Sequence, residues 1–276
     1  MPRRALIPLS IALGLLLVAT ATVARATTIS ARGHGVTATL SYRGGAGAQR
    51  DLALTIGRGQ RTLYRAPVRA PLCGTLCEPQ TGTIQNAVQI ADLDDDGAAD
   101  VLLSLYSGGA NCCSILQVFT PSAAMDGRYV HLAQRDFFSA GYRLERIGGR
   151  LMFVTADNTF ETTFTDFAAS GLPLQILRLS GARFLDVTSA YPALIRRDAA
   201  RWLTAYRRAD GRDDVGLIAA WAADEARLGR WSAAQALLVD QARAGRLNSA
   251  LYPRSDSGLR FVTRLTALLG REGYLG

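Results

Sequence analysis

Two hydrophobic periods divide this sequence, and no single type of regular element satisfies both. From about Thr27 to Thr188, apolar residues come in short runs broken by Gly, Pro, Asn and Asp. Val36, Ala38, Leu40 and Tyr42 alternate with polar neighbours, and Asp51 to Ile56 alternates in the same way. Ala87 to Ala91, Val101 to Tyr106, Ile115 to Phe119, Tyr129 to Ala133, Leu151 to Thr155, Phe160 to Phe164 and Leu174 to Leu179 read as further strands. Val101-Leu-Leu-Ser-Leu is almost continuously apolar, which predicts a strand buried on both faces.

From about Ser189 the period lengthens to that of a helix. Pro192 stands where a helix tolerates it, in the first turn, and Ile195, Ala199, Trp202, Leu203 and Tyr206 follow on one face. A second helix is expected from about Asp213 to Leu228, with Leu217, Ile218, Trp221 and Leu228 on one side and Gly229 as its C-terminal cap. A third runs from about Ser232 to Ala244 and a fourth from about Ser257 to Leu269, where Phe261, Val262, Leu265, Leu268 and Leu269 share a face. The fold class is therefore α+β: a β-rich region over residues 27–188 and a unit of about four helices over residues 189–276.

Between two of the expected strands lies Asp92-Leu-Asp94-Asp95-Asp96-Gly97-Ala98-Ala99-Asp100. A hard cation such as Ca²⁺ takes six to eight oxygens in flexible geometry. Asp92, Asp94, Asp96 and Asp100 offer carboxylates at positions 1, 3, 5 and 9, and Ala98 offers a backbone carbonyl at position 7. Gly97 permits the sharp turn, and Asp95 is expected to point outward. Four converging carboxylates without a cation would repel one another. The loop is not an EF-hand: position 12 is Leu103 rather than an acid, and the flanks read as strands. The competing reading is an acidic, solvated turn.

The hydrophobic strand, the run DLDDDGAAD and the following VLLSL together resemble the FG-GAP/VCBS repeats of integrin α-chain propellers and of many exported bacterial proteins. That resemblance implies four-stranded propeller blades, and the β region is too short for a full ring, so a partial propeller-like arrangement is expected. Tyr106-Ser-Gly-Gly-Ala-Asn-Cys-Cys is similar to a Gly-Gly-Ala-His-Cys-Cys segment of bacterial relatives. Asn111 stands where His is common, so no role for that His carries over. Residues Tyr142 to Val154 align with the first strand-loop-strand as a second, degenerate copy. Gly148-Gly149 falls near Asp96-Gly97 there, and no metal is expected.

The first residues predict export. Met1-Pro-Arg-Arg is basic, Leu6 to Val18 is mostly apolar, and Ala24-Arg25-Ala26 fits an A-x-A cleavage site, so residues 1–26 read as a signal peptide. No later stretch is long enough for a membrane span. The expected location is extracytoplasmic: secreted, or in the cell envelope or periplasm. Four cysteines in an exported chain favour disulfides. Two cross-links between the Cys73/Cys77 loop and Cys112-Cys113 are expected, with the connectivity open. The net charge of +8 comes entirely from Arg, with no Lys in the chain. The arginines are scattered rather than clustered with aromatics, which argues against a nucleic-acid partner.

No GxSxG, HExxH or phosphate-cradling glycine loop occurs, and His34 and His131 are the only histidines. The chain is accordingly expected to be a non-catalytic calcium-binding module. Its partner would be an unidentified protein or cell-envelope ligand, met by the Ser107-to-Cys113 loop. The alternative is a secreted hydrolase whose acids are drawn from Asp157, Glu161 and Asp166.

Overall fold

The computed structural model describes residues 26–73, 77–80, 86–108, 113–209 and 214–275. The expected leader lies outside them but for Ala26, as does most of the expected contact loop, residues 109–112. Among these residues, three antiparallel sheets are followed by four helices, an α+β arrangement.

The first sheet is a meander of β1 (Thr27–Gly33), β2 (Val36–Arg43), β3 (Arg50–Arg58) and β4 (Arg61–Pro67). The middle sheet holds β5 (Glu78–Pro79), β6 (Val88–Ala91), β7 (Asp100–Tyr106), β8 (Ser114–Ser122) and β9 (Arg128–Asp136). Both β5 and β6 pair with the edge of β7 away from β8, Glu78 opposite Tyr106 and Val88 opposite Leu103. The third sheet is a meander of β10 (Arg143–Ile147), β11 (Arg150–Ala156), β12 (Leu174–Ser180) and β13 (Arg183–Asp186).

Strand β7 explains how the sheets stack. Side chains alternate across a strand. Val101, Leu103 and Leu105 pack with Leu40, Leu54 and Ile56 of the first sheet, while Leu102 packs with Phe153 and Leu177 of the third. Ser104 falls on the same side as Leu102, and its hydroxyl lies 2.7 Å from the Tyr142 hydroxyl. A strand sandwiched in this way has no wet face, which is why its sequence is an apolar run rather than an alternation.

The helices are α1 (Pro192–Arg208), α2 (Val215–Arg227), α3 (Trp231–Arg243) and α4 (Gly258–Arg271). Helix α2 is the centre of this unit and is buried nearly all round, Ala219, Ala222, Ala223 and Ala226 as well as Ile218 and Trp221. The expected single apolar face is therefore too narrow, since alanines let neighbours approach from the other sides. Gly216 sits where a Cβ would lie 2.5 Å from the Ala169 carbonyl oxygen and 2.7 Å from the Thr165 methyl carbon.

Two expectations need correction, and four strands are added. Phe160 to Phe164 is not a strand: a short 3₁₀ turn, Asn158–Phe160, leads into a loop. Phe160 and Phe164 both drop into the helical core beside Tyr274 and Phe261. That core thus recruits residues from before the expected boundary at 188. Cys73 and Cys77 bond to each other, with Cα atoms 5.2 Å apart, so neither reaches the second cysteine pair. Cys113 is also disulfide-bonded, and Cys112 lies outside the described residues. Finally, β1, β4, β5 and β13 were not foreseen. They are short or largely exposed at sheet edges, so they carry little apolar alternation.

Candidate metal centre

Ala91 at the end of β6 pairs with Asp100 at the start of β7, and residues 92–99 loop out between them. Leu93 is 3% exposed and packs between the middle and third sheets. Burying that one side chain leaves its neighbours Asp92 and Asp94 on the outer side of the loop. Asp95 (φ 61°) and Gly97 (φ 83°) adopt left-handed backbone, which turns the chain back toward Asp92. Among the described residues, Asp92, Asp94 and Asp96 form the one acidic group of metal-holding geometry, one carboxylate oxygen from each lying within 4.8 Å of the others.

The loop is closed by its first residue. Asp92 Oδ1 accepts the Asp96 N–H at 3.1 Å, and Oδ2 accepts the Gly97 N–H at 3.0 Å. Asp96 Oδ1 accepts the Ala98 N–H at 2.7 Å. Burial, and then the charge of Asp96, raises the Asp94 pKa. These are hard oxygen donors with three negative charges on one side, suited to a hard divalent cation rather than to a nitrogen- or sulfur-seeking metal.

Asp100 lies outside the group of three. It is 5% exposed, and its Oδ2 accepts the Leu93 N–H at 3.0 Å. Burial pushes its pKa up to about 6, against the lowering effect of the Thr120 hydroxyl and the Leu93 N–H. Asp100 therefore ties the two ends of the loop together. The Tyr129 hydroxyl on β9 donates to the Ala99 carbonyl at 2.6 Å and anchors the exit of the loop. Asp95 faces away from the group, its Oδ1 3.0 Å from an Arg146 nitrogen. Thr120, Tyr129 and Arg146 are distant in sequence, and no spacing announces them.

The degenerate copy takes a different form. Ile147 pairs with Arg150, so Gly148-Gly149 is a two-residue hairpin turn rather than an eight-residue loop, with φ of 60° and 85°. His34 is the first residue of the corresponding turn between β1 and β2, where Gly33 pairs with Val36. The His131 ring packs edge-on against Phe119 at 5.3 Å. The acids considered for hydrolysis have separate partners. Asp157 accepts from the Tyr274 hydroxyl at 2.6 Å, Glu161 from the Ser139 hydroxyl at 2.7 Å, and Asp166 from the Ala169 N–H at 2.9 Å.

No family model matches the chain. No solved structure matches it. An uncharacterized protein of Sinorhizobium fredii is 26% identical over 195 residues, 64% of this chain and 30% of that protein. A probable thylakoid lumen protein of Synechocystis sp. is 33% identical over 105 residues, 37% of this chain and 30% of that protein. The chain thus spans less than a third of the length of either relative. Among the described residues, no helix is long and apolar enough to cross a membrane.

Proposed function

We propose that this protein is an exported, non-catalytic binding or structural module whose β region holds Ca²⁺ in an FG-GAP/VCBS-like loop. The observation that carries the reading is the convergence of Asp92, Asp94 and Asp96 on a loop already braced from four sides by Leu93, Asp100, Tyr129 and Arg146. The bracing comes from outside the three converging acids, apart from the backbone N–H groups of the loop itself. The ion neutralises three charges that otherwise repel, with backbone carbonyls and water completing its shell. Two further features support the reading. Each sheet is built as a four-stranded antiparallel meander, counting β5 and β6 as one interrupted strand, which is the form of a propeller blade. The basic and apolar first residues fit export, as does the similarity to a probable thylakoid lumen protein.

Calorimetric titration with CaCl₂ and MgCl₂ tests this. One saturable calcium site is expected, with affinity on the order of 10⁻⁴–10⁻³ M, as for extracellular modules. Magnesium should bind more weakly, because it demands near-ideal octahedral geometry. Absence of saturable heat with calcium overturns the proposal.

A further inference from the structure

A second site stands at the far end of the third sheet, away from the acidic loop. Arg146, at one end of the β10–β11 hairpin, meets the loop, whereas Thr155 to Asp157, at the other end of β11, line a cavity of about 380 Å³. That volume is in the range of small-molecule sites, roughly 300–1,000 Å³. The cavity lies where β9, β11, β12 and β13 end or begin and where the last turn of α2 brings in Arg227.

Its floor is a preassembled polar network. Asp186 Oδ2 accepts from Arg227 Nη2 at 3.1 Å and from Gln175 Nε2 at 3.2 Å, and Gln175 Oε1 accepts from Arg135 Nη2 at 3.4 Å. Arg135 is held over the Phe137 and Phe184 rings, and its Nε is buried with no acceptor among the described residues. The lip carries Phe138, which is 48% exposed and has φ of 48°. A bulky residue with positive φ is an outlier that surrounding structure must enforce. Here Asp136 Oδ1 does so by accepting the Phe138 N–H at 2.7 Å. The result is an aromatic ring displayed in solvent beside a polar cavity.

Charge selects the ligand class. Four carboxylates, of Asp136, Asp157, Asp186 and Glu272, face two guanidiniums. A phosphate or carboxylate would meet net negative charge, while these acids do not converge as a metal ion requires, the converging group among the described residues being that of the loop. Planar amide, carboxylate and guanidinium groups side by side match adjacent hydroxyls, and an exposed ring covers the C–H face of a sugar. We propose that this cavity binds a neutral saccharide, with a pyranose ring over Phe138 and its hydroxyls on Gln175 and Arg135, while Asp186, filled by Thr188, Gln175 and Arg227, holds these groups in place. The site gives the binding-module reading a ligand, yet it needs no calcium, so failure of one leaves the other standing.

The test is NMR titration of the full chain, in EDTA and again in calcium, with glucose, N-acetylglucosamine and their β-1,4-linked dimers. Glucosamine and glucuronate serve as the charged counterparts. At least one neutral sugar should shift the amides of Arg135, Phe138 and Gln175 saturably at about 10 mM or below. Phe138→Gly should weaken binding about tenfold or more while the melting temperature holds or rises, because glycine adopts the positive φ freely. Gln175→Ala, judged at retained melting temperature, should weaken it as well. No saturable shift with any neutral sugar, preference for a charged counterpart, or full affinity in Phe138→Gly would overturn the proposal.

Discussion

Arg146 lies 3.0 Å from Asp95, so the acidic loop of the middle sheet is pinned to the third sheet through an acid that stands apart from the converging three. Both side chains are more than a third exposed, so the pair is worth about 0.2–1 kcal/mol once water and salt screen it. Asp95→Ala should therefore lower calcium affinity only a few-fold, through lost negative field, whereas Asp96→Ala should remove a ligand. Calorimetric titration of the two variants separates these roles. Equal loss in both would place Asp95 among the ligands.

Tyr129→Phe removes the hydroxyl that holds the Ala99 carbonyl and leaves that buried acceptor unsatisfied. The expected cost is about 1–3 kcal/mol of stability by urea unfolding. Amide exchange should quicken at Ala98 and Ala99 ahead of β7, and uniform quickening would deny the hydroxyl a local role.

Asp224 gives the fold a pH dependence of its own. It is fully buried on α2 facing Asp198, and among the described residues neither carboxyl oxygen meets a hydrogen-bond donor. Burial, and then the facing Asp198 charge, pushes its pKa up to about 9. The unfolded chain ionises an aspartate near pH 4, as model peptides do. The folded chain keeps the proton up to about pH 9, and so binds more protons across that window. Stability should thus fall as pH rises from about 4 to about 9, by at most about 1.4 kcal/mol per unit. Asp224→Asn is neutral at every pH and can donate to Asp198. Its melting temperature relative to wild type should climb between pH 5 and pH 8, and parallel curves would refute the assignment.

Gly216→Ala tests how closely the 157–173 loop docks on α2. Its Cβ would lie 2.5 Å from the Ala169 carbonyl oxygen, and backbone cannot yield cheaply. A loss of about 1–3 kcal/mol is expected despite the better helix propensity of alanine. A stability gain, read by thermal melting, would mean that the loop is not seated there.

Much of this fold was legible because its strongest signals are local. The run Val101 to Leu105 announces a strand with two dry faces, and the structure places it between two sheets. The helix starts and ends at Pro192, Gly229 and Gly245 follow from backbone chemistry that neighbours do not override. What the sequence concealed was long-range. Phe160 and Phe164 look like a strand because their apolar character does not reveal which core they serve. The alanines of α2 are too small to mark a face, although they allow its complete burial. At the acidic loop, the spacing of Asp92, Asp94 and Asp96 could be read directly. The partition of Asp100 into a buried clamp could not, since Thr120 and Leu93 decide it in three dimensions.

The most direct measurement is the melting temperature in calcium and in chelator, for wild type and Asp96→Ala. A ligand at a hundred times its dissociation constant adds about 2.7 kcal/mol to stability. For a chain of this size that corresponds to roughly 5–10 °C. A rise of this order in wild type, abolished or sharply reduced in Asp96→Ala, is the expected result. No calcium-dependent shift in wild type, or a shift undiminished in the variant, would contradict a calcium site at Asp92, Asp94 and Asp96.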